Sequence, residues 1–267
     1  MFTYFTYFAY FAYFTYFTYE PYVTYFSYFA YVTYICITRR IKMKVISVVN
    51  TKGGTGKSTI ATNIATALAE NNKVLLIDTD KKQESSMSFS QIRNDFSELP
   101  DISAITIPYK SIFKDIKNYD NFDYVVIDAG AGDNELVRAA ILCGTYGMLL
   151  MPVQPGAYDI WATEDTLALV ESCRNIIDLD NCCLILNRVN TNKNIKMMAD
   201  IEESVKELCT SHNIRLMETK LYDRVAYKEA ICQGRNVIEY SKIKKDNGKA
   251  AEELKQLVKE ILEILKE

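Results

Sequence analysis

Along most of the chain, apolar runs of strand length alternate with stretches whose apolar residues recur at helical spacing. The runs "KVISVVN" (44–50), "KVLLIDTD" (73–80), "ISAITIP" (102–108), "DYVVIDA" (123–129), "YGMLLMPV" (146–153), "CCLILNRV" (182–189) and a weaker "IRLME" (214–218) predict strands. Between them the spacing predicts helices over 58–70, 86–96, 110–118, 133–143, 158–177, 195–211 and 222–232. In "KAAEELKQLVKEILEILKE", Leu254, Leu257, Val258, Ile261, Leu262 and Leu265 form one stripe, as a core-packing or dimer helix requires. Its charged face carries more Glu than Lys, a poor match to an anionic membrane. Near-continuous apolar strands are buried on both faces, so the rhythm implies an α/β fold: a mostly parallel sheet with helices on both sides. Ligands in such folds sit at the carboxyl ends of the strands. Three strands end in suitable residues, in "VVNTKGGTGKST", "LLIDTD" and "VVIDAGAGD".

Residues 1–42 break the rhythm, because tyrosine falls on every third position from Tyr4 to Tyr34. A strand alternates at two and a helix turns at 3.6, so a period of three spreads aromatics around every face and builds no one-sided core. A membrane helix would carry these phenols into hydrocarbon, and the basic start and small-residue cleavage site of a signal peptide are missing. A low-complexity tail prone to strand pairing is an alternative. The favoured expectation is a tandem DNA repeat read in frame, with the working protein beginning at Met43. The chain then divides into a tract, 1–42, and one α/β domain, 43–267.

Charge and cysteines narrow the function classes. The net charge is −3, and it becomes more negative once Glu20, Arg39, Arg40 and Lys42 of the tract are set aside. A protein that coats DNA is thereby disfavoured, and any nucleic-acid contact must come from a local patch. Lys220, Arg224, Lys228, Arg235, Lys242, Lys244 and Lys245 make such a basic excess. The cysteines, at 36, 143, 173, 182, 183, 209 and 232, form no CxxC pair, and His212 is the sole histidine. That pattern is neither a zinc nor a disulfide framework; buried, reduced thiols and a cytosolic protein are expected. His212, in "TSHN", reads as a surface loop residue.

The stretch "NTKGGTGKST" follows a predicted strand and opens a predicted helix, the context that gives a glycine-rich loop meaning. Gly53, Gly54 and Gly56 let successive N–H groups converge on phosphate oxygens at a helix N-terminus, with Thr55 and Thr59 completing the cradle. Lys57 is placed for the β and γ phosphates and Ser58 for magnesium.

The common pattern GxxxxGK[ST] would put glycine at position 51; here Thr51 stands there, and a second lysine, Lys52, precedes the glycines. In this the loop resembles the deviant Walker-A loop of the ParA/MinD family of dimeric P-loop ATPases, and the resemblance runs from about Met43 to Glu267. It implies ATP and Mg2+ as cofactors and slow hydrolysis to ADP and phosphate. It also implies that Lys52 reaches the nucleotide of a partner subunit. By the same resemblance Asp78 lies near the magnesium, Asp80 positions the attacking water, Asp128 holds magnesium through water and Asn187 contacts adenine. The segment "MPVQPGAYDIWATED" and the start at Met43 are similar to small partition-type members without an N-terminal DNA-binding domain. Two departures stand out: Gln83 in "DTDKKQES" is displaced by one residue, and no arginine occurs near Gly132.

The function this implies is a cytoplasmic, nucleoid-associated DNA-partitioning ATPase. Its ATP-bound homodimer would bind nonspecific DNA, and a ParB-like centromere-binding partner would stimulate hydrolysis. A MinD-like membrane ATPase at the division site and an ATP-dependent small-molecule enzyme of the same fold are the alternatives. A nitrogenase-type iron protein would need a second cysteine to accompany Cys143, and none occurs between it and Cys36.

Overall fold

A computed structural model describes residues 42–80, 83–132, 134–191, 195–244 and 248–266; the aromatic tract to residue 41 and Lys245 lie outside them. Lys42–Glu267 form one compact unit. Its strands are β1 (Lys44–Val48), β2 (Val74–Asp78), β3 (Ser103–Thr106), β4 (Tyr124–Asp128), β5 (Gly147–Val153), β6 (Cys182–Leu186) and β7 (Arg215–Leu216). They form one seven-stranded sheet in the order β3-β2-β4-β1-β5-β6-β7, and every pairing is parallel. β2 and β6 are buried at every residue, as an unbroken apolar run demands. The order reverses direction around β1 and β4, and this places a crevice at the carboxyl ends of β1, β2 and β4. Asp78 is paired in register with Asp128 across the β2–β4 ladder, and Val48 pairs with Asp128 on the other side.

The helices are α1 (Lys57–Leu68), α2 (Ser85–Arg93), α3 (Ile112–Asp115), α4 (Asn134–Cys143), α5 (Ala157–Arg174), α6 (Ile195–Ser211), α7 (Val225–Ile231), α8 (Val237–Ile243) and α9 (Lys249–Ile264). Ile60, Ile64 and Leu68 of α1 share one core with Leu254, Leu257, Ile261 and Ile264 of α9. Each such side chain, fully buried, contributes about 1.5–3 kcal/mol. The apolar stripe read in the α9 sequence is therefore consumed inside the domain, with Val258 and Leu262 packed at its margin.

Three local details depart from expectation. The helix predicted over 110–118 is one turn, α3, followed by a 3-10 turn at Ile116–Tyr119; Asn118, Asp120 and Asn121 offer side-chain bonds that compete with a longer helix. α8 was not predicted, although "NVIE" is its signal. Asn236 Oδ1 accepts from the N–H groups of Ile238 and Glu239, and the Glu239 carboxylate accepts from the Asn236 N–H, a capping box. Cys143, Cys173, Cys182, Cys183 and Cys209 are buried and free, as expected for most of the thiols, and Cys232 is exposed. The buried Arg93 guanidinium, at the end of α2, forks onto both oxygens of Glu239 at 2.9 and 2.8 Å and ties α2 to α8.

Candidate functional site

The loop between β1 and α1 takes the shape that its glycines permit. Gly54 and Gly56 have φ of 80° and 95°, conformations that L side chains rarely adopt, and Gly56 caps α1. A Cβ at Gly56 would lie 2.2 Å from Asn187 Nδ2, so this position is closed to any side chain on two counts. The Asn187 amide fills that space to donate to Thr55 O at 2.7 Å. Beneath the loop, Lys57 Nζ donates to Lys52 O at 2.8 Å. Burial lowers the Lys57 pKa, and the carboxylates of Asp128 and Asp80 oppose that shift.

Gly53, Gly54, Gly56, Lys57, Ser58 and Thr59 line one cavity together with Asp78, Asp80 and Asp128. The chain thus brings the predicted phosphate and metal residues into a single crevice, except Thr55, which is buried and does not line it. The two strand-end carboxylates are fastened by Ser86, which sequence reasoning missed. Its N–H donates to Asp78 Oδ2 at 2.9 Å and its hydroxyl to Asp128 Oδ2 at 2.7 Å. Burial raises the Asp78 pKa. Burial, then the neighbouring Asp78 charge, pushes Asp128 up to about 7, against the hydrogen bonds from Ser86 and Ser58. Asp128 Oδ1 and Thr55 Oγ1 are buried with no hydrogen-bond partner. An unpaired buried carboxylate oxygen is costly, and beside the Ser58 hydroxyl it forms a hard-oxygen donor set that fits Mg2+. Among the described residues no cluster of three or more His, Cys, Asp or Glu side chains makes a ready metal cage.

The segments that follow β2 and β4 meet over this crevice. The Gly130 N–H donates to Thr79 Oγ1 at 2.8 Å, and a Cβ on Gly130 would stand 3.2 Å from that of Asp80. Gln83, though displaced in sequence, still lines the cavity, and its N–H donates to Asp80 Oδ1 at 3.1 Å. Lys52 is absent from the cavity lining; its Nζ sits 2.7 Å from Asp159 Oδ1 on α5, with its side chain 35% exposed. Beside Asp159 on the same helix, Tyr158 and Trp161 are exposed and meet edge to face. Asn187 lines a second, adjoining pocket with Leu221, Tyr222, Asp223 and Tyr227, apart from the phosphate cavity.

Other loop supports were also missed. Asn50 Oδ1 accepts from the Lys52 N–H at 2.8 Å, Thr166 Oγ1 lies 3.0 Å from Thr51 Oγ1, and Gln154 Nε2 donates to Gly54 O at 2.7 Å. Asn50 precedes the loop within "NTKGG" and could have been noted; Thr166 lies on α5 and carries no local signal.

The basic residues are heavily paired. Lys220 meets Glu202 at 2.5 Å, Arg224 meets Glu253 at 2.6 Å, and Lys244 meets Glu229 at 2.6 Å. Lys228 stands 4.0 Å from Asp223. Arg235 is buried against Glu98 and the Phe96 ring, so it belongs to the core framework. Lys228, Lys242 and Lys244 are exposed.

Comparison with known proteins follows the same lines. Residues 46–237 match the family described as the CobQ/CobB/MinD/ParA nucleotide binding domain. The maintenance of carboxysome distribution protein A of Halothiobacillus neapolitanus is 24% identical over 227 residues, covering 83% of this chain and 97% of that one. Protein ParA of Rhizobium radiobacter is 26% identical over 199 residues, covering 73% and 85%. An ATP complex of a Cyanothece McdA variant superposes with a TM-score of 0.65 at 20% identity, covering 83% of this chain and 97% of that one.

Proposed function

Because the chain belongs to the CobQ/CobB/MinD/ParA family of nucleotide-binding domains, we propose that it is an ATP-switched positioning ATPase. Two subunits close around ATP, the dimer binds DNA without sequence preference, and a ParB-like partner on the cargo triggers slow hydrolysis and release. DNA segregation is the reading carried over from the sequence. The carboxysome-distribution name of one relative leaves the same cycle able to move a protein body. The cycle runs in the cytoplasm, on the nucleoid.

The observation that carries this reading is Lys52. It lies in the phosphate loop yet its ammonium rests on Asp159, outside its own phosphate cavity, on a face that also exposes Tyr158 and Trp161. A loop lysine so placed is available to the phosphates of a facing subunit. Within one subunit, Lys57 holds a fixed positive charge where the γ-phosphoryl group gains negative charge. Asp80, in the crevice between the segments that follow β2 and β4, orients the attacking water. Ser58, Asp78 and Asp128 would hold magnesium, which when bound neutralises phosphate charge. No helix among the described residues is long and apolar enough to cross a membrane, and the buried stripe of α9 leaves little apolar surface for a MinD-like anchor.

The test is sedimentation of the full chain carrying Asp80→Ala, with ATP and magnesium. A dimer is expected with ATP and a monomer with ADP. A monomer under saturating ATP would refute the sandwich mechanism.

A further inference from the structure

The phosphate cavity and the pocket beside Asn187 share two residues, Thr59 of α1 and Arg188 of the loop after β6. A nucleotide with phosphates in the first and base in the second must pass between them. Arg188 has three properties that suit this passage. Its backbone is left-handed, φ 53°, although it is not glycine, and such residues gather at ligand clamps. Its Nη1 donates to Gly54 O at 3.0 Å, and that same carbonyl also accepts from Gln154 Nε2 at 2.7 Å. The loop carbonyl therefore keeps a donor if the arginine leaves. Finally, among the described residues lining the phosphate cavity, Asp78, Asp80 and Asp128 face two cations, of which Lys57 is buried and Arg188 is exposed. A polyphosphate entering beside three aspartates needs more than one counter-charge, and an exposed guanidinium fork is suited to phosphate oxygens.

We propose that Arg188 is a nucleotide clamp. When a nucleoside di- or triphosphate enters, its guanidinium exchanges the Gly54 carbonyl for phosphate oxygens near the sugar and closes the passage between the two cavities. The proposal rests on the nucleotide-site reading above and adds a residue that the phosphate-loop motif does not contain. It also supplies positive charge from outside the loop after β4, where "DAGAGD" has none.

The experiment uses the full chain with Arg188→Asn, since asparagine tolerates a left-handed backbone, and with Arg188→Lys, which keeps the charge and loses the fork. Fluorescent ADP and ATP analogues are titrated with magnesium, and thermal midpoints are recorded with and without nucleotide. The asparagine variant is expected to bind both nucleotides on the order of tenfold more weakly, the worth of one charge-assisted contact. The lysine variant should fall between. Nucleotide-free midpoints should coincide, and nucleotide-induced stabilisation should shrink. Unaltered binding in both variants, or a loss confined to ATP, overturns the clamp. Failure of the unsubstituted chain to bind either nucleotide would instead bring down the site assignment itself.

Discussion

Gly56→Ala tests the closed packing under the phosphate loop. The new Cβ meets Asn187 Nδ2 at 2.2 Å on a backbone with φ of 95°. The left-handed backbone costs an L residue about 1–2 kcal/mol. Driving the Asn187 amide away breaks its 2.7 Å bond to Thr55 O, and stranding a buried donor and acceptor costs about 1–3 kcal/mol more. The sum, about 2–5 kcal/mol, should lower the melting temperature of a domain this size by roughly 10 °C, at about 2–4 °C per kcal/mol. Asn187→Ala alone loses the bond without the strain. With both substitutions the clash has no partner, so the pair should cost less than the two singles added, by about 1–3 kcal/mol. Urea unfolding of the four proteins without nucleotide measures this coupling. Additivity to within about 0.5 kcal/mol would show that the asparagine does not support the loop, and the packing argument would fail.

Two further outcomes are expected. Asp128, pushed up to about 7 by burial and by Asp78, stays protonated in the folded chain at pH values where the unfolded chain has ionised. It therefore costs stability progressively as pH rises from the ordinary carboxylate range to about 7, by about 4 kcal/mol at the upper end if the whole shift is expressed. Asp128→Asn in EDTA should melt higher than the parent at pH 8 and lose that advantage near pH 4, and an equal difference at both pH values would refute the assignment. For DNA, replacing the exposed Lys242 and Lys244 by Gln should weaken ATP-dependent binding to unrelated duplexes alike and reduce the salt slope by about 2 per subunit, about 4 for the dimer; an unchanged slope in filter binding would remove these lysines from the contact.

The parts of the site that were legible in the sequence are those built within one segment. Gly54, Gly56, Lys57 and Ser58 act through consecutive backbone, so their spacing already states their geometry. Asp78 and Asp128 were legible because each ends an apolar strand, although their direct pairing depends on a strand order that hydrophobic pattern does not specify. Ser86 and Arg188 were missed for a physical reason. Each acts by reaching a residue more than thirty positions away, Asp128 and Gly54 respectively, and nothing adjacent in the chain marks such a reach. The pairing of the basic residues was not legible, since a count of lysines and arginines omits the carboxylates that fold against them. Glu253, on α9, meets Arg224 only because two helices pack.

The in-register pairing of Asp78 with Asp128 has a consequence for how freely this site can vary. Two carboxylates carried on loops could drift apart with any insertion. Here their spacing is that of neighbouring strands, about 4.8 Å, and every backbone rung of the β2–β4 ladder enforces it. Sliding one strand by a single residue would turn its side chains to the opposite face and part the two carboxylates. The ledge beneath the glycine-rich loop is thus set by the sheet, and the loops above it can change length without parting the two carboxylates.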